Sequence, residues 1–123
     1  MNKYMDTAIP IVENQVRSKF ENIWVKVTDL KVPDYRILLW GSVIKPRSKK
    51  PKDLDIIIEY RGSKIDSDKT KSIEGWLHDK IYITDFSYID PLVTHYDYTS
   101  DIISKSRVSQ LYSVDESGWV KLE

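Results

Sequence analysis

Apolar residues along the chain alternate between helical and strand spacing. Ile9, Val12, Val16, Phe20 and Ile23 recur at three- and four-residue steps, one stripe of a helix predicted from about Thr7 to Asn22. Asp6 or Thr7 can cap it, and Pro10 then falls in the first turn, where no internal N–H partner is lost. Trp24 to Val27 reads as a helix end or a short edge strand, and residues 29–34, with Pro33, as a connection. Tyr35 to Trp40 is apolar and β-rich, a buried strand ended by Gly41-Ser42. Residues 43–52 hold Pro46 and Pro51 and read mostly as loop, with room for one helical turn. Leu54 to Tyr60 is the clearest strand, since three successive isoleucines imply burial on both faces.

After the turn Arg61-Gly62-Ser63, the pattern returns to helix from Asp66 to Lys80. Asp66 is the cap, Asp68 favours the positive end, and Ile73, Trp76, Leu77 and Ile81 form the stripe; Gly75 weakens it. Ile81 to Ile89 alternates and predicts a third strand, with Ile81, Ile83, Asp85, Ser87 and Ile89 on one face. Asp90-Pro91 reads as a cap followed by a first-turn proline, opening one or two helices that reach about Lys105. Val108 to Ser113 and Trp119 to Leu122, joined through residues 115–118, predict a closing hairpin. There is no internal repeat, low-complexity tract or linker. The expected fold is a single α/β (α+β) domain over residues 1–123, a small mixed sheet flanked by helices.

Composition narrows the function classes. The 123 residues are 41% hydrophobic and 31% charged, the balance of a globular chain with a real core. Cysteine is absent, which excludes disulfides, thiolate metal sites and cysteine nucleophiles and suits a reducing compartment. No apolar run approaches the roughly 20 residues of a membrane helix, and Met-Asn-Lys-Tyr-Met-Asp leads into no hydrophobic signal core, so a cytoplasmic protein with no membrane partner is expected. The 19 basic and 19 acidic residues cancel, which removes the net basic footprint of non-specific nucleic-acid binding. The charge is uneven all the same: Lys45, Arg47, Lys49, Lys50 and Lys52 crowd between the Gly-Ser turn and the next strand. Such a run is a solvated loop or, in this position, a holder of polyphosphate.

The chemistry concentrates in the same stretch. Asp53 and Asp55 open the isoleucine strand and, two residues apart, share one of its faces. Paired carboxylates repel, and a divalent cation offsets that cost. Asp85, among isoleucines on the predicted third strand, is costly unless paired, hydrogen-bonded or bound to metal. If the third strand lies beside the second, Asp53, Asp55 and Asp85 converge, and three oxygen ligands suit Mg²⁺ or Mn²⁺. Asp90 competes with Asp85 but ranks behind it as a helix cap. Each feature also has a plainer reading: strand-start acids, an ordinary turn at Gly41-Ser42, a solvent-facing or supporting Glu59, surface or core-edge His78 and His95, and core or edge packing for Tyr96, Tyr98, Tyr112 and Trp119.

In combination, Leu38-Leu39-Trp40-Gly41-Ser42, then Asp53-Leu54-Asp55-Ile56, then Asp85 in Ile83-Thr84-Asp85-Phe86-Ser87-Tyr88, the chain resembles the nucleotidyltransferase superfamily that includes DNA polymerase beta, and most closely its minimal stand-alone members. The likeness spans about residues 36–113. It implies a site in which Gly41 and Ser42 bind the terminal phosphates, with Lys45, Arg47 and Lys52 as further nucleotide contacts. Asp53, Asp55 and Asp85 would be both catalytic residues and ligands of two Mg²⁺ (or Mn²⁺) ions. The implied reaction moves a nucleoside monophosphate from a nucleoside triphosphate to a hydroxyl acceptor on protein, RNA or a small molecule. Small members work as dimers or with a helical partner, so a homodimer or a helical protein partner is implied as well. The chain departs from the pattern where many small members carry Ala-Arg-Gly after Gly-Ser: here Val43-Ile44-Lys45-Pro46 stands there, and Lys52 replaces the serine common before the first aspartate. That departure sets up the competing expectation, a catalytically degenerate module that binds a protein partner as an antitoxin-like component. Template-directed polymerisation is disfavoured by size and by zero net charge.

Overall fold

The N-terminal helical stripe extends further in both directions than its periodicity predicts. In the computed structural model, which describes residues 2–45, 49–105 and 110–121, α1 (Lys3–Ile11), a π-helical turn (Val12–Val16) and α2 (Arg17–Thr28) follow one another without a break. The cap is Asn2, not Asp6 or Thr7: its Oδ1 accepts the N–H groups of Tyr4 at 3.0 Å and Met5 at 2.9 Å. The earlier start puts Pro10 inside α1 rather than in its first turn. Proline cannot donate to the carbonyl four residues back, and the helix widens immediately after it. Buried Ala8, Val12, Val16 and Phe20 are spaced by four, a period that would drift around a regular α-helix; the wider turn keeps them on one stripe. Trp24 to Val27 is helix, and Asp29 ends α2 in the left-handed region (φ 56°).

Among the described residues, five strands form one mixed sheet: β1 (Tyr35–Leu39), β2 (Asp53–Tyr60), β3 (Tyr88–His95), β4 (Gln110–Ser113) and β5 (Gly118–Lys121), in the order β3-β2-β1-β4-β5. This is the α+β fold expected, with helices beside a small mixed sheet. β2 and β3 pair in parallel, and parallel neighbours need a crossover; α3 (Ser67–Lys80) supplies it. All other pairings are antiparallel. β3 leads directly into α4 (Tyr96–Lys105). The closing hairpin is present as β4 and β5; Val108 and Leu122, included in the expectation, lie outside the described residues. Its turn is tied to the rest of the sheet by Asp115, whose carboxylate accepts the Ile37 N–H at 2.7 Å and binds Arg17 of α2.

The third strand is where pattern and structure part. It starts at Tyr88, seven residues after the predicted start, and Asp90-Pro91 lies inside it rather than opening a helix. Residues 81–87 form a connection in which Ile81 and Phe86 are buried and Asp85 is exposed. Alternation continues through both segments, so it could not by itself locate the boundary. What decides the boundary is pairing with β2, which places Tyr88 against Asp53. Pro91 is tolerated because β3 is an edge strand. Two residues on, the Val93 N–H donates to the carboxylate of Glu74 on α3 (2.8 Å) rather than to β2. Pro91 shares that outward parity, so its missing N–H removes no ladder bond.

The face of the sheet carrying Ile37, Leu39, Leu54, Ile56, Ile58, Ile89, Val93 and Tyr112 packs with the helices in the main core. The opposite face buries Leu38, Ile57 and Leu111, with Trp40, Leu92 and Val120 packed around them. By strand parity Asp53, Asp55 and Glu59 lie on this second face. Glu59 is not solvent-facing: it is 3% exposed, and its Oε1 pairs with Arg36 Nε at 2.7 Å across the β1–β2 ladder. Among the described residues no helix is long and apolar enough to cross a membrane.

Because removing one partner strands a buried charge, Arg36→Met is expected to destabilise the fold by about 3 kcal/mol. Glu59→Gln combined with Arg36→Met should recover part of that loss. Urea unfolding of the parent and the two variants checks it; equal stability of Arg36→Met and the parent would contradict the assigned role.

Candidate metal and phosphate site

β1 ends at Leu39, and the chain turns at once into a single 3-10 turn, Gly41–Ile44. The turn is held from both sides. On one side the Trp40 N–H donates to the Asp55 carbonyl (3.4 Å). On the other, Asn2, while capping α1, donates its Nδ2–H to the Val43 carbonyl at 3.0 Å. Gly41 adopts φ +72°, and a Cβ there would fall 2.4 Å from Asp55 Oδ2. Glycine is therefore required twice, for the left-handed backbone and for the space that the Asp55 carboxylate occupies. Ser42 is half-buried in the turn, and its carbonyl accepts the Lys45 N–H at 3.3 Å.

Across the β2–β3 pair, Asp55 stands in register with Asp90 and Asp53 with Tyr88. Carboxylate oxygens of Asp53, Asp55 and Asp90 lie within 4.8 Å of one another. The structure thus brings together two of the three expected acids and replaces the third. Asp85 lies outside the cluster, exposed in the connection before β3, where it lines a cavity of about 190 Å³ with Lys3, Tyr4, Thr7, Lys50 and Phe86. The signal for Asp90 was present in the sequence as the acid one residue past the predicted strand end. The proline after it disguised the strand as a helix start.

Burial and like charge act together at the cluster. Asp55 is pushed up from 3.8 to about 7, first by burial, then by the charge of and hydrogen bonding to Asp53, then by Asp90. The donor set fits a hard divalent cation: all oxygen, closely spaced, and electrostatically short of positive charge. Asp90 is exposed and Asp53 and Asp55 half-buried, which leaves room for water or phosphate oxygens as further ligands. The same carboxylates, Asp53 foremost, hold the Tyr88 phenol above its usual range.

Of the basic residues assigned to nucleotide contact, Lys45 and Lys52 are exposed, one at the end of the turn and the other just before Asp53; Arg47 lies outside the described residues. The Lys52 carbonyl accepts the Ser87 N–H at 2.8 Å, fixing the entry to β2 beside β3. Lys50, Pro51, Lys52, Thr84, Phe86 and Ser87 line a second cavity of about 330 Å³. The histidines stay out of the cluster. His95 is buried, with Nε2 2.7 Å from the Gly62 carbonyl and Nδ1 accepting the Asp97 N–H, and is structural. His78 is exposed and packs on the Tyr88 ring. Tyr112 is buried and packs edge-on against Trp119, as expected of core and edge aromatics. Tyr96 and Tyr98 are exposed, with Arg61 and Lys64 over their rings.

Compared with known proteins, the chain matches no family model, no curated protein and no solved structure.

Two outcomes follow from this geometry. In the metal-free protein, folded Asp55 keeps a proton that the unfolded chain has lost, so stability falls as pH rises from about 4 to about 7. Asp53→Asn removes the leading charge and should raise the melting temperature at pH 8 more than at pH 5; melts in EDTA at both values read this directly. For the turn, Gly41→Ala should weaken Mn²⁺ binding by about tenfold or more, because the new methyl displaces Asp55. Gly62→Ala carries the same backbone penalty (φ +88°) into open space and should leave Mn²⁺ affinity unchanged. Calorimetric titration of both variants separates the contact from the dihedral.

Proposed function

We propose that this protein is a metal-dependent nucleotidyltransferase of the minimal type, moving a nucleoside monophosphate from a nucleoside triphosphate to a hydroxyl acceptor, with Asp90 as the third acid. The observation that carries the reading is one juxtaposition: a glycine turn seated against Asp55, with Asp53 and Asp90 oxygens within 4.8 Å of those of Asp55. A turn alone or acids alone would be commonplace. Their contact puts a turn bare of side chain at Gly41 beside a carboxylate set that could hold a cation, and triphosphate chemistry needs both in one place.

Each residue then has a task. Gly41 lets the turn backbone come close to phosphate oxygens, and the Ser42 hydroxyl and N–H donate to them. Lys45 at the end of the turn and Lys52 just before Asp53 add exposed positive charge along the chain on either side of the loop. Asp53, Asp55 and Asp90 hold Mg²⁺ or Mn²⁺, which supplies charge neutralisation on the phosphates and a lower pKa for the incoming hydroxyl. Asp90, the exposed carboxylate on β3, accepts that hydroxyl's proton. The acceptor oxygen forms its bond to the α-phosphorus as the bond to the β-phosphate oxygen breaks, and pyrophosphate leaves toward the turn. A chain without cysteine suits a cytoplasmic setting for this chemistry.

The test is transfer from each α-labelled nucleoside triphosphate with Mg²⁺ or Mn²⁺. Asp53→Asn and Asp90→Asn should each lower Mn²⁺-dependent pyrophosphate release by about 100-fold or more, while Asp85→Asn should leave it near the parent level. Turnover that survives Asp53→Asn would overturn the reading. A folded protein that binds neither Mn²⁺ nor nucleotide would favour the partner-binding module instead.

A further inference from the structure

Tyr88 is the residue at the cluster to which no task has yet been given. It opens β3 in register with Asp53 and lies two residues before Asp90, so by strand parity it belongs to the carboxylate face. Neighbouring strands run about 5 Å apart, which brings its Cα to the flank of the pair. The residue is 36% exposed, and its ring rests against His78 of α3, with centroids 5.4 Å apart. Among the described residues, no hydrogen bond engages its hydroxyl.

Position across the sheet gives the phenol its meaning. The glycine turn leaves the end of β1, Asp53 and Asp55 lie next on β2, and Asp90 and Tyr88 lie beyond them on β3. In-line displacement at phosphorus needs the leaving group and the attacking oxygen on opposite sides. With pyrophosphate against the turn, the attacking hydroxyl comes from the β3 side, the strand that Tyr88 opens in register with Asp53. We infer that Tyr88 is a built-in acceptor: the site nucleotidylates its own chain on this phenol. The inference rests on the function proposed above and names one acceptor for it. The Tyr88 oxygen bonds to the α-phosphorus of a nucleoside triphosphate, its proton passes to Asp90, the bond to the β-phosphate oxygen breaks, and pyrophosphate departs. The product is a tyrosine nucleoside-monophosphate phosphodiester on the rim of the site, where the attached nucleotide covers the carboxylates against further substrate.

The experiment uses the full chain with Mn²⁺ and, separately, ATP, GTP, CTP and UTP. Intact-mass and peptide mass spectrometry are recorded before and after incubation, the first reporting any adduct already acquired in the expressing cell. Expected is a single nucleotide adduct on the peptide containing Tyr88, absent from Asp53→Asn and reduced at least tenfold in Tyr88→Phe. Tyr88→Phe keeps the ring and should keep Mn²⁺ affinity. It should also release pyrophosphate with an added hydroxyl acceptor at or above the parent rate, since the site can no longer block itself. If Tyr88→Phe is adducted as heavily as the parent, or the adduct maps elsewhere, the inference falls while the transferase reading stands. If Tyr88→Phe is unchanged but Tyr88→Ala loses nucleotide affinity, the ring stacks on substrate and the acceptor role is wrong. If no Asp53-dependent pyrophosphate release occurs with any acceptor, the transferase reading falls and takes the inference with it.

Discussion

The contact between the Gly41 backbone and the Asp55 carboxylate is the constraint around which this end of the sheet is arranged. A side chain at position 41 would occupy the space taken by Asp55, so the identity of the turn residue and the position of the acid are a single choice. Two polar tethers keep the turn there: the β2 backbone on one side and the capping Asn2 on the other. The N-terminus of α1 thereby serves the site without contributing a ligand.

That arrangement is electrostatically unfavourable taken alone, and the rest of the sheet keeps it in place. Leu54, Ile56, Ile57 and Ile58 are fully buried on the two faces of β2, each contributing about 1.5–3 kcal/mol of apolar burial. Repulsion among half-exposed carboxylates, screened by solvent, is smaller than that sum. The core can therefore hold Asp53 and Asp55 beside Asp90 while all three would gain by moving apart. The strain is relieved by a proton on Asp55 or by a cation.

Much of this was legible in the sequence, for identifiable reasons. β2 is legible because both of its faces are apolar, and a continuous isoleucine run leaves few alternatives. The shared face of Asp53 and Asp55 follows from strand geometry alone. From sequence, Asp85 rather than Asp90 reads as the neighbour of Asp53 and Asp55, because Ile81 to Ile89 alternates as a strand would, while Asp90-Pro91 carries a local helix-start signal. Only long-range pairing with β2, and the edge position that makes Pro91 harmless, resolve the conflict. Asn2 does not show as a cap in a stripe that begins at Ile9, although Met5 already belongs to the buried face. Glu59 reads from sequence as a supporting or solvent-facing acid because nothing local reveals that Arg36 stands opposite it on β1. Tyr88 shares the face of Asp90 on β3, whereas on the strand predicted from Ile81 it lies opposite Asp85.

The hydrogen bond from Val93 to Glu74 bears on how the molecule can associate. It places a carboxylate across the outer rim of β3, and Pro91 lacks the N–H that an incoming strand would seek there. The other rim, β5, pairs only with β4 among the described residues. The same glutamate that joins α3 to β3 therefore also occupies the rim at which another strand would pair.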